Sequence, residues 1–189
     1  MQLLLLAVDP DRDGRPRFTP ELAPALVLAD LLDKTRRGRP APDSVADYLR
    51  TRAPGRLDCY VDAARELGIL EVSVRREGYF GHTRIRIADR WPLERAVDRV
   101  LRILDSAQHP GDRDLAFVVL AHKIGRAQVL LKGRKHRDRR RRLDALVGWV
   151  EARPQSGYRS GADAVLCDGL RAMTSATVEE RAASFAALR

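Results

Sequence analysis

The spacing of apolar residues divides the chain into helical stretches interrupted once by an alternating one. The opening run LLLLAV predicts a short buried strand or an apolar first segment, closed by the turn DPDRDGR. In FTPELAPALVLADLLDKTRRGR, Leu22, Ala25, Leu26, Ala29 and Leu32 recur at helical spacing. Val27, Leu28 and Leu31 widen that stripe, which predicts a central, buried helix. Thr19 is its expected cap, Pro20 its first position, and Gly38 its stop. A short helix in PAPDSVADYLRTRAPG follows. RLDCYVDAARELG then places Leu57, Tyr60, Val61, Ala64 and Leu67 on one stripe, with Gly68 as the stop.

The period then changes from 3.6 to 2. Leu70, Val72 and Val74 alternate with Glu71, Ser73 and Arg75, and Ile85 and Ile87 alternate with Arg84 and Arg86. This predicts a β-hairpin whose tip carries Tyr79 and Phe80 between two glycines. Beyond it the pattern is helical again. Asp89 is a candidate cap and Pro92 a helix start, and Leu93, Val97, Val100, Leu101 and Leu104 form a core stripe. LAFVVLAHKIG is apolar on nearly all sides and predicts a buried helix. In LDALVGWVEAR, Leu143, Leu146, Val147 and Val150 are the packing positions. PQSGYRSG reads as a loop, and two short helices are expected to close the chain. The expected fold is mainly α: a single-domain helical bundle with one protruding β-hairpin, spanning residues 1–189.

Charge changes this picture at one place. From Lys132 to Arg142, eight cations face one aspartate, so eleven residues carry +7 of the chain's formal +9. The expected partner is therefore a polyanion met at one patch. The patch comprises Lys132, Arg134, Lys135, Arg137, Arg139, Arg140, Arg141 and Arg142, expected to begin a helix and coat its exposed side. Three readings compete for it: an anionic membrane surface, a nucleic-acid backbone, and a solvated face whose arginine stems cover apolar surface.

Candidate chemistry is sparse. Cys59 and Cys167 lie far apart, with no CxxC and no nearby His pair, and both are expected to be buried and reduced in a cytoplasmic setting. Asp9, Asp11, Asp13 and Gly14 imitate the start of a calcium loop, but its twelfth position is Pro20 instead of a carboxylate. Among the four histidines, His122 falls in an apolar helix without a second His or a carboxylate at i±4, as a core or helix-end histidine would. GxSxG, GxGxxG and Walker-type loops are absent. We expect no catalytic residues, no metal, no cofactor and no enzymatic activity. The N-terminal apolar run is too short for a secretory signal, and no window approaches the roughly 20 apolar residues of a membrane span.

The helix–helix–hairpin order, with arginines on the strands, also matches a winged-helix nucleic-acid binder, the alternative reading. Its recognition helix would be RLDCYVDAARELG, which spreads Asp58, Asp62 and Glu66 over its turns, against the needs of a helix facing phosphates.

The order of features resembles the Golgi phosphoprotein 3 (GPP34) family, over roughly residues 3–150. The matches are RGR at Arg37–Arg39, GIL at Gly68–Leu70 entering the hairpin, and LAH at Leu120–His122 before a basic helix. The resemblance implies a helical bundle with a protruding hairpin that supports self-association. It also implies a peripheral, cytoplasmic membrane adaptor for client membrane proteins that binds phosphatidylinositol 4-phosphate or anionic lipid in general. In the family's head-group pocket the Trp position falls on Phe18, the helix Arg on Val27, and an Arg pair on Pro54 and Leu57. Arg50, Arg52 and Arg56 lie alongside and, with Phe18, form the expected head-group set. Tyr79 and Phe80 are the expected hairpin contacts, made with another subunit or with the bilayer interface.

Overall fold

Glycine punctuation and apolar stripes account for most of the helix boundaries. The computed structural model describes residues 1–8, 19–77, 80–152 and 161–186, and only the backbone of 74–77, 80–84 and 176–186. The elements are α1 (Gln2–Ala7), α2 (Leu22–Arg36), α3 (Val45–Arg52), α4 (Arg56–Glu66), β1 (Leu70–Glu77), β2 (Phe80–Ile87), α5 (Trp91–Asp105), α6 (Asp112–Lys123), α7 (Arg126–Leu130), α8 (Arg137–Glu151) and α9 (Gly161–Ala186). The chain is mainly α with one small antiparallel hairpin, as its periodicity predicts.

α2 is the central helix and packs against α1, α3, α4, α6 and α9. It ends where expected: Gly38 takes φ +83°, and its N–H reaches Thr35 O at 3.0 Å while Arg39 N–H reaches Lys34 O at 3.1 Å. This paired closure satisfies carbonyls that a helix end leaves open. The start of α2 differs from expectation. Thr19 provides no side-chain cap; a turn precedes the helix, with Leu22 N–H donating to Thr19 O at 3.0 Å.

The opening segment is a helix instead of a strand. A uniformly apolar run has no period to distinguish the two. It is packed among α2, α5 and α6, and there a helix closes its own hydrogen bonds. Leu3, Leu4, Leu5 and Leu6 are all buried, between α2, α5 and α6. Arg126 donates to Ala7 O and so satisfies a carbonyl at the end of α1. Full burial of a leucine such as Leu4 or Leu28 stabilises by about 1.5–3 kcal/mol.

The stripe of α4 holds only in part. Val61 and Ala64 are buried, and Leu57 and Tyr60 pack against the core. Leu67 is 68% exposed, because the helix has already ended at Glu66 and the chain is turning at Gly68. Cys167 is buried as expected, but Cys59 is exposed, on the α4 face opposite that stripe. The hairpin register pairs Leu70 with Ile87 and Val72 with Ile85, so its apolar face meets the core at the hairpin base.

The C-terminal expectation of two short helices is corrected: α9 is a single helix from Gly161 to Ala186. Its interior Gly169 marks a close approach to α2. A Cβ at that position would stand 2.5 Å from both methyl carbons of Leu28. The calcium-like turn at Asp9–Gly14 lies outside the described residues.

Candidate polyanion-binding surface

The basic run does not form one uniform helical face. After Lys132 and Gly133 comes a 3-10 turn at Arg134–His136, and only then α8. Three of its arginines fasten the segment to the body. Arg139 grips Asp105 at the end of α5 with two bonds, Nε to Oδ1 at 2.6 Å and Nη2 to Oδ2 at 2.7 Å. Arg140 Nη1 donates to Leu131 O at 2.6 Å, a carbonyl that the end of α7 leaves open, and to Gly133 O at 2.8 Å, which also accepts the His136 N–H. Arg142 Nη2 donates to Gln108 O at 2.5 Å. All three side chains are half-buried.

The other five cations, Lys132, Arg134, Lys135, Arg137 and Arg141, are exposed. Among the described residues the first four have no ion-pair or hydrogen-bond partner for the side chain. Arg141 stands 3.9 Å from Asp138, with both side chains largely in solvent, a weak contact. The patch read from sequence as eight equivalent charges is thus three structural arginines and five exposed cations, four of them unpaired and Arg141 in a weak contact with Asp138. His136 lies among them. Desolvation, then Arg139, Lys135 and Arg140, lower its pKa below the ordinary histidine value. Its Nδ1 accepts from Arg139 Nη1 at 2.9 Å, so the proton of the neutral ring sits on Nε2.

The expected head-group residues separate. Phe18 lies outside the described residues. Arg50 lines a groove of about 840 Å³ between the start of α2, α3 and α9, together with Pro24, Ser44, Leu49, Arg171 and Met173. Arg52 and Arg56 do not line it; their guanidiniums lie 5.9 Å from the ring centres of Tyr48 and Tyr60. Arg50 is tied to Asp47 at 2.5 Å and Arg171 to Asp168 at 3.1 Å. Arg171 escaped sequence reading because only the tertiary packing of α9 on α3 brings it here. Val27 is buried in the core and Leu57 packs against it, whereas Pro54 is exposed at the groove. A guanidinium at position 27 would therefore be desolvated.

Tyr79 lies outside the described residues, and of Phe80 only the backbone is described: it opens β2, paired with Glu77. His122 closes α6, its Nδ1 3.1 Å from the side-chain amide of Gln128, and burial lowers its pKa. The proposed recognition helix of the nucleic-acid reading, α4, exposes Asp58, Asp62 and Glu66, and Asp62 pairs with its Arg65 at 3.1 Å. Among the described residues no group of three His, Cys, Asp or Glu side chains could hold a metal. No helix among them is long and apolar enough to cross a membrane.

Fold and surface define a mainly helical protein with one short hairpin and one dense cationic segment fastened to the helical body by three arginines. The profile of Golgi phosphoprotein 3 (GPP34) matches residues 3–165, and the chain belongs to this family. No curated protein and no solved structure matches it.

Proposed function

We propose that the chain is a peripheral membrane adaptor that attaches to anionic lipid head groups and has no enzymatic activity of its own. The observation that carries this reading is the set of five exposed cations within ten residues, held on a segment anchored by Arg139, Arg140 and Arg142. Each cation near an anionic bilayer contributes on the order of 1 kcal/mol. Five of them, at half that value, support reversible attachment. Arg50 and Arg171 on two sides of the groove offer a second place for a phosphate, provided each exchanges its carboxylate partner for the ligand.

The test is co-sedimentation at near-physiological salt with neutral vesicles, vesicles of phosphatidylserine, and vesicles with phosphatidylinositol 4-phosphate at equal total charge. Duplex DNA serves as a soluble competitor. Binding to both charged vesicles, resistant to DNA, is expected. Preference for the phosphoinositide at matched charge would assign a head-group role to the groove. Loss of vesicle binding to low concentrations of DNA would overturn the membrane reading in favour of nucleic acid.

A further inference from the structure

The outer face of α5 is unusual for a helix bordering the core. Trp91, Arg95, Asp98, Arg102 and Asp105 follow one another at i, i+4, i+7, i+11 and i+14, and all five are exposed. That spacing keeps them within one narrow stripe about 21 Å long. Trp91 is 59% exposed, and Arg95 lies over its ring, 4.6 Å from the centre. Among the described residues neither Arg95 nor Arg102 has a carboxylate partner. At the far end of the stripe Asp105 is consumed by Arg139. That grip places the start of α8, and the free cations preceding it, beside the stripe. Between the two helices opens a cleft of about 340 Å³ lined by Arg95, Asp98, Leu101, Arg102, Asp105 and Arg139.

We propose that this α5 stripe, joined to the basic segment through Asp105 and Arg139, is the bilayer-facing surface, with Trp91 as its interfacial anchor and Arg95 and Arg102 contacting lipid phosphates. The inference rests on the membrane reading above and adds a face, an orientation and an apolar contact. A large indole beside cations suits the head-group layer, where aromatic rings and arginines are both accommodated. A phosphate backbone in water would satisfy Arg95 and Arg102 but would leave the exposed face of the indole without an apolar layer to enter. The bilayer is therefore the occupant that uses every exposed group of the stripe except Asp98, the one acid not already neutralised.

The chain has two tryptophans, so Trp149→Phe leaves Trp91 as the only indole. Trp149 packs edge-on to His109 at 4.5 Å, a ring contact that phenylalanine can also make. With phosphatidylserine vesicles, the Trp91 emission is expected to shift to the blue and to be quenched by brominated acyl chains. The complementary Trp91→Phe protein should show neither response from Trp149. Arg95→Gln with Arg102→Gln should weaken vesicle binding about tenfold or more, since each cation is worth about 1 kcal/mol near the surface. Vesicle binding with an unmoved, unquenched Trp91 would overturn this inference and leave the cation reading standing. Failure of the full chain to bind vesicles would remove both. A Trp91 response to duplex DNA and not to vesicles would reassign the stripe to nucleic acid.

Discussion

Arg139 meets Asp105 side-on with two nearly equal bonds, 2.6 and 2.7 Å, across 34 positions of sequence. A two-point contact of this kind fixes direction as well as distance. It joins the last residue of α5 to the first turn of α8 and so decides where the basic segment sits.

The Asp105 carboxyl is held below its ordinary pKa, chiefly by the hydrogen bond from Arg139. A depressed carboxylate pKa contributes stability that is present above the unfolded value and is lost as pH falls through the folded one. The fastening should therefore be intact at neutral pH and open only in acid, below about pH 4. Hydrogen exchange of the amides at 134–140 should speed up there, ahead of the core. Asp105→Asn should show the same faster exchange already at pH 7.

The eight cations should separate into two groups on mutation. Arg140→Gln leaves the carbonyl of Leu131 without its donor and that of Gly133 with only the His136 N–H, and should cost about 1–3 kcal/mol in urea unfolding. Changing Lys132, Arg134, Lys135, Arg137 and Arg141 together to Gln should leave stability within about 1 kcal/mol, since surface substitutions away from packed features have small effects. The same variant should lose binding to anionic vesicles. Retained binding would remove the role proposed for these side chains.

Gly169 and Leu28 define a contact that glycine alone permits without adjustment. In an exposed helix, alanine would gain about 1 kcal/mol over glycine. Here the added methyl would press on the buried Leu28 side chain, so Gly169→Ala should destabilise by about 1–3 kcal/mol. A double-mutant cycle with Leu28→Ala should show favourable coupling, because the shortened residue makes room. Additive losses would show that the two do not share this space.

Tyr60 donates its hydroxyl to Asp30, with Leu26 O 3.3 Å from the same oxygen, linking α4 to α2. Burial, then the bond to Asp30, raises its pKa well above the ordinary phenol range. A raised pKa contributes stability that is complete below the unfolded value of about 10 and is lost as pH rises through the folded one. Unfolding midpoints should thus fall in alkali above pH 10. Tyr60→Phe should be less stable at pH 7, by about 0.5–1.5 kcal/mol for the lost bond, and should show a flatter alkaline limb.

Local rules made much of this protein legible. Gly38 and Gly68 end helices because each takes a positive φ and lets following N–H groups return to open carbonyls. The hairpin follows from the change of period at Leu70, and the burial of α6 from its lack of any polar stripe between Leu115 and Ala121. The family resemblance rested on the order of these same elements. What local pattern left open was decided by neighbours distant in sequence. LLLLAV carries no period, and its helical form depends on the surrounding α2, α5 and α6. The close approach of Gly169 to Leu28 is likewise invisible in the local pattern, because it depends on how α9 packs on α2.

The candidate site divides the same way. The order of residues alone determined that the cations are concentrated between Lys132 and Arg142. Which of them are free was settled by the tertiary structure, because a guanidinium is spent or available according to the acceptor that packing brings within reach. Asp105, Gln108, Leu131 and Gly133 take three arginines inward. The remaining five face solvent, four for want of such a neighbour and Arg141 beside an equally exposed Asp138, and the exposed stripe of α5 lies beside them because Asp105 holds Arg139 there.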